Sequence, residues 1–348
     1  VNGKRANPVI VAVDAMGGDH APDEIVAGAV LAQAAGIAVP VLVGDEPVLR
    51  RLLARHRGAA LEIVHAPESI AMDAPPSQAL RGAERTSLGA AVDLVRDGKA
   101  QAVVSAGNSG AFLAIALFRL RTIAGIARPA IAVVLPASQG PVVLLDCGAN
   151  VDCRPEWLAQ FGVMGSAYSR GVLGVANPRV GVVSVGEERS KGNAQAIEAA
   201  QLLEAAPVNF IGNVEGKDVL FSVADVIVTD GFIGNVMIKL AEGTSMRIAG
   251  IAREEVARAG PAGKLGALLM RPVFKGVKEK ILYEEYGGAP LLGVQGNCIV
   301  AHGRAKSDAI RNAIRLAAAE AGADVVGRIG DLMAKVDAAA VSGAGRTA

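Results

Sequence analysis

Aromatic side chains are scarce in this chain, at 3% of 348 residues. Since 51% of residues are hydrophobic, the core must be built mainly from Ala, Val, Leu and Ile. Such side chains suit parallel strands covered by helices on both faces. Charge of one sign is also missing: 35 Lys and Arg stand against 34 Asp and Glu. No global field therefore favours nucleic acid, and none is expected as a partner. There are three cysteines, Cys147, Cys153 and Cys298, with no CxxC pair. That set does not make a disulfide framework and fits a reducing compartment.

Long apolar runs are absent too. "AFLAIALF" at 111–118 ends at Arg119, far short of the roughly 20 residues of a spanning helix. The first residues lack the apolar region and cleavage site of a signal peptide. A cytoplasmic protein is expected, with flexible ends at 1–7 and 336–348. Missing motifs narrow the chemistry further. No G-x-x-x-x-G-K-[ST] occurs, against a P-loop, and no G-x-G-x-x-G follows the first apolar run, against a dinucleotide site. No G-x-S-x-G elbow is present. The four histidines, at 20, 56, 65 and 302, have no metal-ligand spacing. No metal and no cofactor are expected.

What is present is one repeated junction. A short β-branched run meets a Gly- and Asn-rich loop, which leads into an Ala- and Leu-rich helical stretch. "VIVAVDAMGGDHAPDEIVAGAVLAQAA" comes first, and "AQAVVSAGNSGAFLAIALFRL", "RVGVVSVGEERSKGNAQAIEAAQLLEA" and "ADVIVTDGFIGNVMIKLAEGT" are among those that follow. Strands alternating with helices imply βα units and a mostly parallel sheet with helices on both faces. No linker divides the chain, so residues 8–335 read as one α/β domain, at most two lobes.

In a βα unit the loop after the strand lies at the carboxyl edge of the sheet and opens a helix. Parallel strands would put many such loops on one edge. The unusual polar residues sit there: Asp14, Gly17, Gly18 and His20; Asn108 and Ser109; Asp146 and Asn150; Glu187, Lys191 and Asn193; Asp230 and Asn235; His302. Helix N-termini offer free N–H groups and a positive dipole end, and Gly lets an anion approach them. The loops thus suit a phosphate-like or oxyanionic group. A plainer reading stays open, in which the Gly and Asn are turn and cap residues. Cys147 follows a buried run and reads as a small core residue rather than a nucleophile.

Eight motifs in order, "VDAMGGDHAP", "VSAGNSGAF", "LLDCGANVDCRPEWL", "FGVMGSAYS", "NFIGNVEGKD", "VTDGFIGNV", "YGGAPLLGV" and "IVAHGRA", resemble the bacterial phosphate acyltransferase family of phospholipid synthesis. The resemblance runs from about residue 9 to 330. It implies conversion of acyl-[acyl carrier protein] and inorganic phosphate into acyl phosphate and free carrier protein. It also implies a fold like that of phosphotransacetylase and isocitrate/isopropylmalate dehydrogenase, a homodimer, and a membrane-bound glycerol-3-phosphate acyltransferase downstream. Two positions depart from the family pattern. Ser109 and Ile233 stand where Thr is usual; Ser109 keeps the hydroxyl and Ile233 loses it.

On that resemblance the expected catalytic residues are Lys191, Asn235 and His20. Lys191 would hold phosphate or the developing oxyanion, Asn235 would donate from a neutral amide, and His20 would handle a phosphate proton. Gly17 and Gly18 would give close backbone donors, with Asn108 and Ser109 binding phosphate or the pantetheine arm. Asp14, Asn150, Glu187, Asn193, Asp230 and His302 complete the expected substrate site. Two rival readings remain: a nicotinamide-dependent decarboxylating dehydrogenase of the same fold group, and a non-catalytic membrane-associated scaffold.

A helical tip is expected around 255–282. Within "KLGALLMRPVFKGVKEKI", Leu265, Leu268 and Leu269 recur at helical spacing, Pro272 interrupts, and Val273, Val277 and Ile281 continue an apolar stripe. Lys264, Arg271, Lys275, Lys278 and Lys280 face a single carboxylate, Glu279. This is a basic amphipathic pattern suited to an anionic bilayer. Leu265, Leu268, Leu269 and Phe274 are the expected membrane contacts, with peripheral attachment to the inner face of the cell membrane. The alternative is that the stripe packs in a subunit interface.

Overall fold

The computed structural model describes residues 8–281 and 287–344, with side chains within 8–276 and 287–336. The expected flexible start at 1–7 lies outside the described residues. So do the side chains of Val277, Lys278, Glu279, Lys280 and Ile281.

Among the described residues eleven strands form one sheet in the order β3-β2-β1-β4-β11-β10-β5-β6-β9-β7-β8. They are β1 (Ile10–Asp14), β2 (Val39–Gly44), β3 (Glu62–His65), β4 (Ala102–Ser105), β5 (Ala130–Ala137), β6 (Gly140–Leu145), β7 (Arg179–Ser184), β8 (Asn209–Glu215), β9 (Val226–Val228), β10 (Ala289–Leu292) and β11 (Asn297–Val300). The helices are α1 (Asp23–Ala34), α2 (Glu46–Leu53), α3 (Pro76–Ala79), α4 (Ser87–Arg96), α5 (Ser109–Leu120), α6 (Pro155–Gly171), α7 (Ala194–Ala205), α8 (Gly231–Arg258), α9 (Gly260–Leu269), α10 (Arg271–Ile281), α11 (Ser307–Gly322) and α12 (Val325–Ala344). Helix therefore continues through 337–344, where the sequence suggested a flexible end.

Strand side chains alternate between faces, and the cores follow that alternation. Val11 and Val13 of β1, Val143 and Leu145 of β6, and Val226 and Val228 of β9 share one core that crosses the whole sheet. It is covered by α1, α6, α7, α11 and α12, through residues such as Ile25, Phe161, Leu203, Ile314 and Ile329. On the opposite face the apolar layer is divided. Ala12 and Val103 pack under α4 and α5 with Leu88 and Phe112. Leu144 and Ile227 pack with Val219 and with Ile238 of α8.

Pairing is parallel through most of the sheet, as expected for βα units. The set β3, β2, β1, β4, β11 is parallel throughout. So is the set β6, β9, β7, β8. Between them, β10 is antiparallel to β11 and to β5, and β5 is antiparallel to β6. Three reversals leave the two parallel sets running in opposite directions. The expectation that the polar loops share one edge is therefore corrected: those of the first set and those of the second leave opposite edges.

One buried group is at odds with its surroundings. Glu320 of α11 is 1% exposed, and its Oε1 has no hydrogen-bond partner. The Tyr168 hydroxyl and Ser169 Oγ of α6 are equally buried and unpartnered. Burial pushes the Glu320 carboxyl well above the ordinary carboxylate range, and pushes the Tyr168 phenol up as well, with Glu320 adding to the latter. An acid with a raised folded pKa binds its proton more tightly when folded. Stability then falls as pH rises from the ordinary value of 4.5 through the folded one. Each pKa unit of that window is worth about 1.4 kcal/mol. Glu320→Gln should match the wild type in stability near pH 4, where both side chains are neutral, and exceed it increasingly at higher pH. Urea midpoints across a pH series check this. Parallel pH profiles for the two proteins would contradict it.

Candidate active site

Two clusters form at the ends of the two parallel sets. The first centres on Asp14, the last residue of β1, which is 2% exposed. Ser105 Oγ donates to its Oδ2 at 2.7 Å, and the Met16 amide reaches Oδ1 at 3.3 Å. Ser87 and the Gly17 amide also bind it. Burial raises the Asp14 pKa, and these donors pull it partly back. A Cβ on Gly17 would lie 2.4 Å from Asp14 Oδ2 and 2.9 Å from Gly107 Cα. Bare backbone is needed here because the loops after β1 and β4 touch. Gly18 turns the chain at φ 115. The Asp19 amide then donates to the Gly303 carbonyl at 2.8 Å, joining the His302 loop to the cluster.

Asn108 caps α5, its Oδ1 accepting from the Ala111 amide at 3.0 Å. Its Nδ2 faces the carbonyls of Ala71, Met72 and Ala74 at 3.3, 3.0 and 2.9 Å. Asn108, expected to bind a ligand, fastens the 71–74 segment in this structure. Ser109 is exposed at the first position of α5. His20 is exposed just before α1. His302 is exposed, and its Nδ1 accepts from the Arg304 amide at 3.2 Å.

The second cluster centres on Asp146, which is fully buried after β6. Its Oδ1 accepts from the amides of Ile131, Gly148 and Ala149, and its Oδ2 from the Asn150 amide and Nδ2, at 2.7–3.2 Å. Burial still raises its pKa. Asn150 Nδ2 also reaches the Pro129 carbonyl at 2.8 Å, and its own carbonyl accepts from the Gly231 amide at 2.8 Å. A Cβ on Gly234 would meet the Asp146 carbonyl at 1.9 Å. The start of α8 is thus pressed against this loop. Asp230 is the cap of α8, accepting from the Ile233 amide at 2.8 Å. Asn150 and Asp230, expected in the substrate site, therefore have structural partners. Asn235 is exposed in the second turn of α8, about 4 Å from where a Gly148 side chain would begin. It lies inside the helix rather than at its opening.

Beyond β7, a polar loop is pinned by its backbone. Ser184 Oγ donates to the Lys191 carbonyl at 3.0 Å, and Asn213 Nδ2 faces the carbonyls of Gly186, Glu188 and Lys191. Asn193 caps α7 through the Ala196 amide, and Gln195 Nε2 donates to the Cys153 carbonyl at 2.6 Å. That bond links the Lys191 loop to the Asp146 loop. The Lys191 ammonium is exposed and, among the described residues, in no ion pair. Glu187 is exposed beside it in sequence. Burial, then the Asp146 charge, pushes the Cys147 thiol far above its ordinary range. Cys153 is pushed up to about 12 by burial. Neither is a ready thiolate.

Contacts therefore join Asp146, Asn150, Asp230 and Asn235, with Lys191, Asn193 and Glu187 on the same edge. They separately join Asp14, Gly17, Gly18 and the loops of Asn108 and His302. Among the described residues no hydrogen bond or ion pair links His20 to Lys191 or Asn235. Sequence reasoning missed Ser87, Ser105, Ser184, Gln195 and Asn213, which hold the two clusters in shape. Ser105 and Ser184 left a signal, each at the end of an apolar run, within "VSAGNSGAF" and "RVGVVSVGEERSKGN". Among the described residues no group of three or more His, Cys, Asp or Glu could hold a metal ion.

Residues 9–328 match the family model described as fatty acid synthesis protein. A phosphate acyltransferase from Pelotomaculum thermopropionicum is 50% identical over 308 residues, covering 88% of this chain and 90% of that protein. One from Nostoc punctiforme is 51% identical over 314 residues, covering 89% and 92%. Among solved structures, a phosphotransacetylase from Streptococcus pyogenes superposes with a TM-score of 0.64 at 17% identity, covering 91% of this chain and 94% of that one. A 4-hydroxythreonine-4-phosphate dehydrogenase from Klebsiella pneumoniae gives 0.54 at 17% identity, covering 89% and 98%. These two share the fold alone. Identity near one half over most of both lengths is a different order of likeness, and by it this chain belongs to the phosphate acyltransferase family.

Proposed function

We propose that the enzyme moves an acyl group from acyl carrier protein to inorganic phosphate, using the second cluster as its catalytic edge. The observation that carries this reading is Lys191: an ammonium without a counter-ion, in a pinned loop, on the edge that also holds Asn235. A phosphate oxygen attacks the thioester carbonyl carbon, and negative charge builds on the carbonyl oxygen. The C–S bond then breaks, giving acyl phosphate. The departing thiolate takes the proton that hydrogen phosphate brought, leaving free carrier protein. A thiolate is an adequate leaving group, so no covalent enzyme intermediate is required. The reaction needs positioning and a preorganised positive charge. Lys191 supplies the charge, and Asn235 supplies amide donors. His20 is left without a role at this edge. The dehydrogenase alternative is disfavoured, because identity near one half is to phosphate acyltransferases while dehydrogenase likeness stops at the fold.

Peripheral membrane attachment through the helical arm belongs to the same proposal. No residue of α8 after Ile238 is buried, and α9 has none buried. Leu265, Leu268 and Leu269 are 60%, 63% and 74% exposed, and Phe274 is 43% exposed. The arm breaks at Ala259 and at Met270, with Pro272 in the first turn of α10, where a missing N–H is tolerated. Among the described residues no helix is long and apolar enough to cross a membrane, so contact would be with the surface. Pairing of two chains would double that contact. An acyl phosphate released there is placed for a membrane-bound acyltransferase.

Incubating the protein with acyl carrier protein thioester and phosphate, then trapping acyl phosphate with hydroxylamine, should give acyl hydroxamate. Lys191→Ala should keep the fold and lower kcat on the order of 100- to 1,000-fold. No hydroxamate from the wild type defeats the proposed reaction. A variant keeping more than about a third of the rate makes Lys191 a solvated surface residue. With anionic liposomes, wild type should float and Leu268→Glu/Leu269→Glu should not, with its oligomeric state unchanged. Equal flotation defeats the membrane contact, and a variant that falls to monomers assigns the apolar tip to a subunit interface.

A further inference from the structure

The only tryptophan of the chain, Trp157, sits in the first turn of α6 with two guanidinium groups over its ring. The Arg128 carbon lies 5.2 Å and the Arg154 carbon 5.8 Å from its ring centroid. Guanidinium groups stack on aromatic faces by cation–π attraction, which restrains them without neutralising their charge. Both arginines are exposed. Among the described residues neither takes part in an ion pair or a side-chain hydrogen bond. This contrasts with Arg119, held by Asp93 and Glu84, and Arg179, held by Asp225.

Their supports lead to the catalytic edge. Arg128 precedes Pro129, whose carbonyl accepts from Asn150 Nδ2 at 2.8 Å. Arg154 follows Cys153, whose carbonyl accepts from Gln195 Nε2 at 2.6 Å. The 125–127 turn is fastened to α6 by Gln160, which accepts from the Ala127 amide at 2.9 Å and donates to the Gly125 carbonyl at 3.0 Å. Two planar cations without a counter-ion among the described residues are therefore carried on anchored backbone, each one residue from a bond that builds the Asp146 and Lys191 loops. Planar guanidinium forks match the oxygens of a phosphate group.

We infer that Arg128 and Arg154, stacked on Trp157, form a phosphate-binding clamp beside the catalytic edge. The inference rests on the proposed reaction for its ligands, which offer phosphate oxygens from two sources. One is the inorganic phosphate acceptor, and the other is the phosphodiester of the carrier's phosphopantetheine arm. The clamp adds an anion subsite to the Lys191 edge and covers a motif, "DCRPEW" at 152–157, that the catalytic reading leaves without a role.

Because Trp157 is the sole tryptophan, its fluorescence reports on the clamp without interference. Titrating the wild type with inorganic phosphate, with phosphopantetheine and with pantetheine should give a saturable change for at least one phosphate-bearing probe and none for pantetheine. Arg128→Gln/Arg154→Gln should abolish that change while keeping the circular dichroism spectrum. In turnover, the double variant should raise one KM about tenfold or more with a smaller change in kcat. A rise in KM for phosphate assigns the clamp to the acceptor, and a rise in KM for acyl carrier protein assigns it to the arm. No saturable change with either phosphate-bearing probe, or an identical response in the double variant, overturns the clamp. If the wild type binds phosphate at Trp157 but makes no acyl hydroxamate, the clamp stands and the proposed reaction fails.

Discussion

The second half of the molecule depends on a buried carboxylate, Asp146, gathering donors from two segments and seating a third. A carboxylate without solvent is costly unless several N–H groups replace the water it has lost. Here the donors come from the start of β5 and from the loop after β6. The third segment, the start of α8, reaches the group indirectly, through Gly231 and Gly234 packed on that loop. Burial still wins, since the pKa stays raised. The arrangement is thus maintained by the rest of the fold rather than by the carboxylate's own preference. Asp14 repeats the pattern in the first half, with Ser87, Ser105 and two amides in place of the loop donors.

Much of the architecture was legible in the sequence, and the reasons are local. The β-branched runs that became β1, β4, β7 and β9 are each followed by a Gly- or Asn-rich loop and a helix, and each element is specified by its own composition. Strand direction is not specified that way. Nothing in "RPAIAVVLPASQGPVVLLD" distinguishes an antiparallel hairpin from two parallel strands except the tight Ser138–Gln139 turn. The direction follows from pairings such as Leu135 with Val142. Missing that reversal placed all the polar loops on one edge.

Roles were harder to read than positions, for a related reason. An Asn at the start of a helix looks the same in sequence whether it caps the backbone or faces a ligand. Asn108, Asn193 and Asp230 each cap their own helix, and Asn150 holds Pro129. Lys191 could be singled out because a lysine in a loop between a strand and a helix has no such backbone task. Its alternative partners, Glu187 and Glu188, were visible nearby, and only the structure leaves its ammonium without one.

The two ends of α8 tie these levels together. Its first turns are wedged against the Asp146 loop by glycines that admit no side chain. Its 28 residues make a rod of about 42 Å, and beyond Ile238 none of it is buried. Among the described residues such a rod is buried only at its root, so a rigid root is what gives the far end a fixed bearing. Buried carboxylate, bare glycines and the Asp230 cap all converge on that root. A loosened root would therefore disturb Asn235 and the exposed apolar tip together. On the proposed reading, chemistry and surface contact share one support.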